Sequence, residues 1–146
     1  MWQKDDLTKE EQKISNRQRE LLEQFKRNKR IVIVTPLHNF NVTSKFKEYI
    51  DNIFIAGETF KYVSDGSIGI MSNNRKVLLL QSSGGIYSQN DPKYSPIKLS
   101  RIYIKGIFVD GFDSFDIVIA EGTTVSAINK DTMLQNAINE IKDKLL

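Results

Sequence analysis

Cysteine is absent from the 146 residues, which excludes disulfides, thiolate zinc sites and a cysteine nucleophile. Histidine occurs once, as His38, so a multi-histidine metal centre is excluded and no metal ligand is assigned. No apolar run approaches the roughly 18 residues that a spanning helix needs. The opening Met1-Trp2-Gln3-Lys4-Asp5-Asp6 also lacks the apolar stretch of a signal peptide. A cytoplasmic protein without a membrane partner is therefore expected. Nor does one charge dominate: 21 basic against 18 acidic residues give +3, spread along the chain, which argues against nucleic acid as the main partner. What is present is globular, with 40% hydrophobic, 27% charged and 10% aromatic residues. A chain of this length forms one domain, 1–146, able to bury roughly 68–70% of its unfolded surface.

Thr8 followed by Glu11 forms a capping box, and Ile14, Leu21, Leu22 and Phe25 supply a narrow apolar stripe, so a helix is expected over about Lys9 to Asn28. The basic cluster Lys26, Arg27, Lys29 and Arg30 then suits the negative end of that helix and receives no site role. Ile31 to Thr35 is an unbroken β-branched run, the mark of a parallel strand covered on both faces, and Pro36 stops it. Thr43 or Ser44 can cap a second helix carrying Phe46, Tyr49, Ile50, Ile53 and Phe54 on one face and ending near Gly57. Thr59 to Ile70 reads as a small hairpin around Asp65-Gly66. Val77 to Leu80 is a second buried strand, and Phe115 to Ala120 a third. Between them lie a polar segment with Pro92 and Pro96 and a helix around Ile97 to Phe108, and Asp131 to Leu146 closes the chain as a helix. This order implies an α/β fold, a parallel sheet flanked by helices, with a ligand crevice beyond the carboxyl ends of its strands. Pro36 to Asn41, Ser82 to Tyr87 and Glu121 to Thr124 should meet there. Three strands are few for such a sheet, and something looks absent at its front.

The first loop combines a rigid proline, an aromatic and two amides directly after a buried strand, suited to the edge of a planar heterocycle. In the second, Gly84 and Gly85 let backbone come close to a flat ring. A plain tight turn explains each segment taken alone. Together, Pro36-Leu37-His38-Asn39-Phe40, Phe46 to Asp51, Ala56 to Tyr62, Ser82-Ser83-Gly84-Gly85-Ile86-Tyr87 and Ala120-Glu121-Gly122 resemble the FMN-dependent NADH-azoreductases, the flavodoxin-like NAD(P)H:quinone oxidoreductases of bacteria. The resemblance implies a flavodoxin-like fold and a homodimer holding FMN. Flavin contacts would come from Pro36, Leu37, His38, Asn39 and Phe40 and from Ser82, Ser83, Gly84 and Gly85. NADH would give a hydride to FMN, and two electrons would pass on to a quinone or azo acceptor. Phe60 would shape the nicotinamide and acceptor pocket, while His38 and Tyr87 could orient the acceptor or supply a proton. His38 stands where the family usually has tyrosine and Ser83 where many members have arginine, which bears on acceptor choice. Members begin with a strand, a Ser-rich phosphate loop, its helix and a second strand, so this chain resembles their C-terminal two-thirds. Nothing before Ile31 offers a phosphate loop. The alternative is thus a non-catalytic remnant that folds and associates without flavin. The strand Ile31 to Thr35 would then be an open edge.

Overall fold

A computed structural model describes residues 7–71, 74–88, 99–109 and 111–145. Its elements run α1 (Lys9–Arg27), β1 (Arg30–Pro36), α2 (Ser44–Ile53), β2 (Phe60–Val63), β3 (Gly66–Gly69), β4 (Lys76–Ser83), α3 (Leu99–Val109), β5 (Ser114–Glu121) and α4 (Lys130–Leu145). The expected Pro92, Pro96 and Ile97 and the final Leu146 lie outside the described residues. The α1 capping box forms as read, with Glu11 N–H donating to the Thr8 hydroxyl and Thr8 N–H to the Glu11 carboxylate at 2.8 Å. Thr43 caps α2 by accepting from Phe46 N–H at 3.2 Å.

β1, β4 and β5 form one parallel sheet in the order β1-β4-β5, in the register Val32↔Leu78 and Leu80↔Val118. β2 and β3 make a separate antiparallel hairpin, Phe60↔Gly69 to Val63↔Gly66. One row of sheet side chains, including Ile33, Val77 and Leu79, is buried with Phe25 of α1, Ile50 and Ile53 of α2 and Ile104 and Phe108 of α3. Phe25 lies 6.1 to 6.2 Å from the rings of Phe54, Phe108 and Phe112.

Two readings of the chain need correction. β1 is not covered on both faces: its burial alternates, and Val32 and Val34 are 52% and 77% exposed. The β-branched run sits at the edge of the sheet, whereas α4 packs against β5 at the other end, with Lys144 3.5 Å from Asp116. β1 ends at Pro36 as read, with the proline as its last paired residue opposite Ser82, because a proline on the far edge removes no ladder donor. Finally, α2 ends at Ile53 rather than near Gly57. The buried Thr59 hydroxyl captures that end: it donates to the Ile53 carbonyl at 3.1 Å and accepts from Ile55 N–H at 3.0 Å. The aromatic face of α2 is spent at home, for Phe46, Tyr49 and Phe54 pack on the core, and burial pushes the Tyr49 hydroxyl pKa up.

Candidate functional site

The carboxyl ends of three adjacent parallel strands place three loops side by side. From β1, Leu37 N–H continues the ladder onto the Ser82 carbonyl at 2.8 Å. A turn follows immediately: His38 N–H donates to the Asn41 carbonyl at 2.9 Å, and Asn41 N–H returns to the His38 carbonyl at 2.8 Å. The residues between, Asn39 and Phe40, have φ of +46° and +62°, the two left-handed positions of a type I′ turn. Asparagine tolerates this conformation, whereas a bulky L side chain in it costs about 1–2 kcal/mol. The turn holds Phe40 56% exposed, with its ring edge-on to Tyr87 at 6.2 Å and 84°.

The second loop leaves β4 with its carbonyls committed to the third. Ser83, Gly84 and Gly85 accept from the N–H groups of Thr123, Thr124 and Gly122 at 3.2, 3.2 and 3.1 Å, and the Ser83 hydroxyl donates to Gly85 at 2.9 Å. The N–H groups of Asn39, Phe40, Gly84 and Gly85 carry no hydrogen bond among the described residues. Both glycines have an ordinary φ and are closely packed by side chains. A Cβ on Gly84 would lie 3.0 Å from the Thr124 hydroxyl, and one on Gly85 2.8 Å from the Tyr87 ring.

Beneath this loop lies a buried polar chain. One oxygen of Glu121, at the end of β5, accepts from the N–H groups of Tyr87 and Ser88 at 2.9 and 2.8 Å. The other faces the Arg101 guanidinium of α3 at 2.5 Å. Arg101 also donates to Gln81 at 2.7 Å, and Gln81 to the Ser100 hydroxyl at 3.2 Å. Burial alone would raise the Glu121 pKa, but the hydrogen bonds from Arg101 and from the two backbone N–H groups hold it below the usual carboxylate range.

The structure therefore places Pro36 through Phe40, Ser82 through Gly85 and Tyr87 on two neighbouring loops at the carboxyl end of the sheet. Phe60 stands elsewhere, on the β2–β3 hairpin, edge-on to Tyr62 at 5.4 Å. Sequence reading missed the service of Glu121, Arg101 and Gln81 beneath the loop. That reading places the loop Glu121 to Thr124 at the strand ends but gives the Glu121 carboxylate no role. The donor set fits a flat heterocycle with acceptors on its edge. The N-termini of α1, α2 and α4 each carry a side-chain cap, Thr8, Thr43 and Asn129. No group of His, Cys, Asp and Glu among the described residues could hold a metal ion.

Comparison with known proteins decides the family. A family model described as a flavodoxin-like fold matches residues 2–145. An FMN-dependent NADH:quinone oxidoreductase of Lactiplantibacillus plantarum is 44% identical over 97% of this chain and 68% of its own length. One of Bacillus anthracis is 47% identical over 94% of this chain and 62% of its own. The chain belongs to the flavodoxin-like family of the FMN-dependent NADH:quinone oxidoreductases. The crystal structure of an FMN-dependent NADH-azoreductase from Bacillus anthracis in complex with FMN superposes with a TM-score of 0.89 at 46% identity, covering 95% of this chain and 65% of that one. The azoreductase AzrA follows with a TM-score of 0.80 at 27% identity. The chain thus spans about two thirds, in places less, of the relatives it matches. The fold and family that the loop motifs implied are the ones found.

Proposed function

We propose that this chain binds the ring of FMN across the carboxyl ends of its sheet and carries two electrons from NADH to a quinone or azo acceptor, the activity that its relatives' names state for them. One observation carries the reading: the N–H groups of Asn39, Phe40, Gly84 and Gly85, none hydrogen-bonded among the described residues, lie on neighbouring loops that an aromatic pair joins where the strands end. FMN, when bound, supplies the hydride and electron chemistry. Asn39 and Phe40 donate to the ring's edge from a fixed turn. Gly84 and Gly85 let their backbone approach it, and Pro36, Leu37, Ser82 and Ser83 hold both loops in register. Phe40 and Tyr87 wall the slot against water, while His38, exposed in the turn, and the Tyr87 hydroxyl orient the acceptor or hold a proton for it.

Phe60 belongs to this reading as a residue of a homodimer. The hairpin that carries it also exposes Tyr62 and Ile68, apolar side chains of the kind that mark an interface. No helix among the described residues is long and apolar enough to cross a membrane, which agrees with work in the cytoplasm. The experiment is an anaerobic NADH titration of the FMN-loaded chain. Bleaching of the flavin absorbance by NADH and its return on adding a quinone are expected. An NADH-inert flavin would remove the catalytic half of the proposal. A second reading, a chain that folds and associates without flavin, draws on the closed helix caps, and it is the outcome if FMN does not load.

A further inference from the structure

Glu121 is 9% exposed and accepts from two directions, from Arg101 on one side and from Tyr87 and Ser88, whose hydroxyl joins its N–H, on the other. The guanidinium of Arg101, on α3, takes one of its oxygens, and the N–H groups of Tyr87 and Ser88 take the other. These are consecutive amides of the loop whose Tyr87 ring stands over Gly85 and meets Phe40. We infer that Glu121 is a positioning residue: its buried carboxylate is a latch that fixes the loop after β4, and with it the Tyr87 wall of the ring slot, before any ligand arrives. The inference rests on the flavin reading above only for what the slot takes. Charge is essential to the latch, because an ionised carboxylate accepts on both oxygens at once. A neutral amide at this position can satisfy either Arg101 or the loop amides, and it turns its own N–H₂ donor against the other. Arg101 is held in turn by Gln81, so the latch links β4, α3 and β5 to the segment that follows β4.

Residue-resolved amide exchange on the apo chain tests this directly. In the wild type, Tyr87 and Ser88 amides should exchange at least tenfold more slowly than those of Gly84 and Gly85, and Glu121→Gln should speed Tyr87 and Ser88 by about tenfold, since hydrogen bonds to a charged group are worth that much or more. The β4 amides of Leu78 to Leu80 should be unchanged, which a general loss of stability would not allow. FMN affinity should fall about tenfold in Glu121→Gln, the loop having lost its fixed geometry. Tyr87 and Ser88 exchanging as fast as Gly84 and Gly85 in the wild type would overturn the latch, even if the variant failed to fold. So would a Gln variant whose faster exchange spreads evenly through β4. A wild type that shows this exchange pattern yet takes up no FMN upholds the latch and removes the flavin reading.

Discussion

Gly85 and Phe40 make opposite demands on a single position. Gly85 has an unremarkable φ, and what excludes a side chain is the Tyr87 ring 2.8 Å from where a Cβ would stand. Gly85→Val should push that ring out of the slot and lower FMN affinity by roughly a hundredfold, with the far-ultraviolet circular dichroism unchanged. An unchanged affinity with an unchanged spectrum would take Gly85 out of the site. Phe40 instead holds a left-handed φ of +62° that glycine would adopt freely. Strain of this kind gathers at functional sites. Phe40→Gly should therefore leave stability unchanged or raise it by up to about 1 kcal/mol, while FMN binding weakens about tenfold through loss of the aromatic wall. Denaturant midpoints and a flavin titration on the same sample measure both. A clear loss of stability would mean that Phe40 is a packing residue.

At the level of elements, what could be read from sequence depended on how far apart the interacting groups lie. The two N-terminal caps and the hairpin turn are local, so Thr8 with Glu11, Thr43, and Asp65-Gly66 announced themselves within a few residues. The C-terminus of α1 did not. The basic cluster there was read as its own dipole complement, yet Lys26 reaches out to Glu58 at 2.8 Å and Arg30 to the Asn74 carbonyl at 2.6 Å. The carbonyls of Phe25, Lys26 and Asn28 are instead taken by Arg75, 47 to 50 residues away and 7% exposed. Nothing local to Arg75 could show that role. Its burial lowers the guanidinium pKa without neutralising it. Arg75→Met should cost about 2–3 kcal/mol, because it strips three buried carbonyls of a charged donor, and would be seen as a lower urea midpoint. A midpoint within error of the wild type would contradict the cap. The Glu121 latch escaped for the same reason, its partners lying on α3 and in the loop after β4. The misreading of β1 was of another kind: β-branched character reports a strand, and only its place in the sheet decides whether both faces are covered.

For the whole molecule, the decisive features are an open edge and a buried charge. Among the described residues no strand pairs with the outer edge of β1, and Val32, Val34, Leu134 and Ile138 stay well exposed. Such an edge invites association, so every second β1 amide should exchange quickly at low protein concentration and slow as concentration rises. Protection of all of them at high dilution would show the edge to be covered. Acid should open the loop after β4 through Glu121. Its pKa is lower with the loop held than with it released, so the local stability it contributes is present above the ordinary carboxylate value and is lost as pH falls through the lowered one. Tyr87 and Ser88 amide protection that stays flat between neutral and strongly acid pH would contradict this. On the reading proposed above, these loops make a site for the flavin ring itself, independent of its phosphate, while the N-termini of α1, α2 and α4 hold their own caps. Parallel fluorescence titrations of the chain with FMN and with riboflavin, which lacks the phosphate, test it most directly. Saturable quenching of both, with affinities within about threefold of each other, is the expected result. Quenching of neither, or of FMN alone, would contradict it.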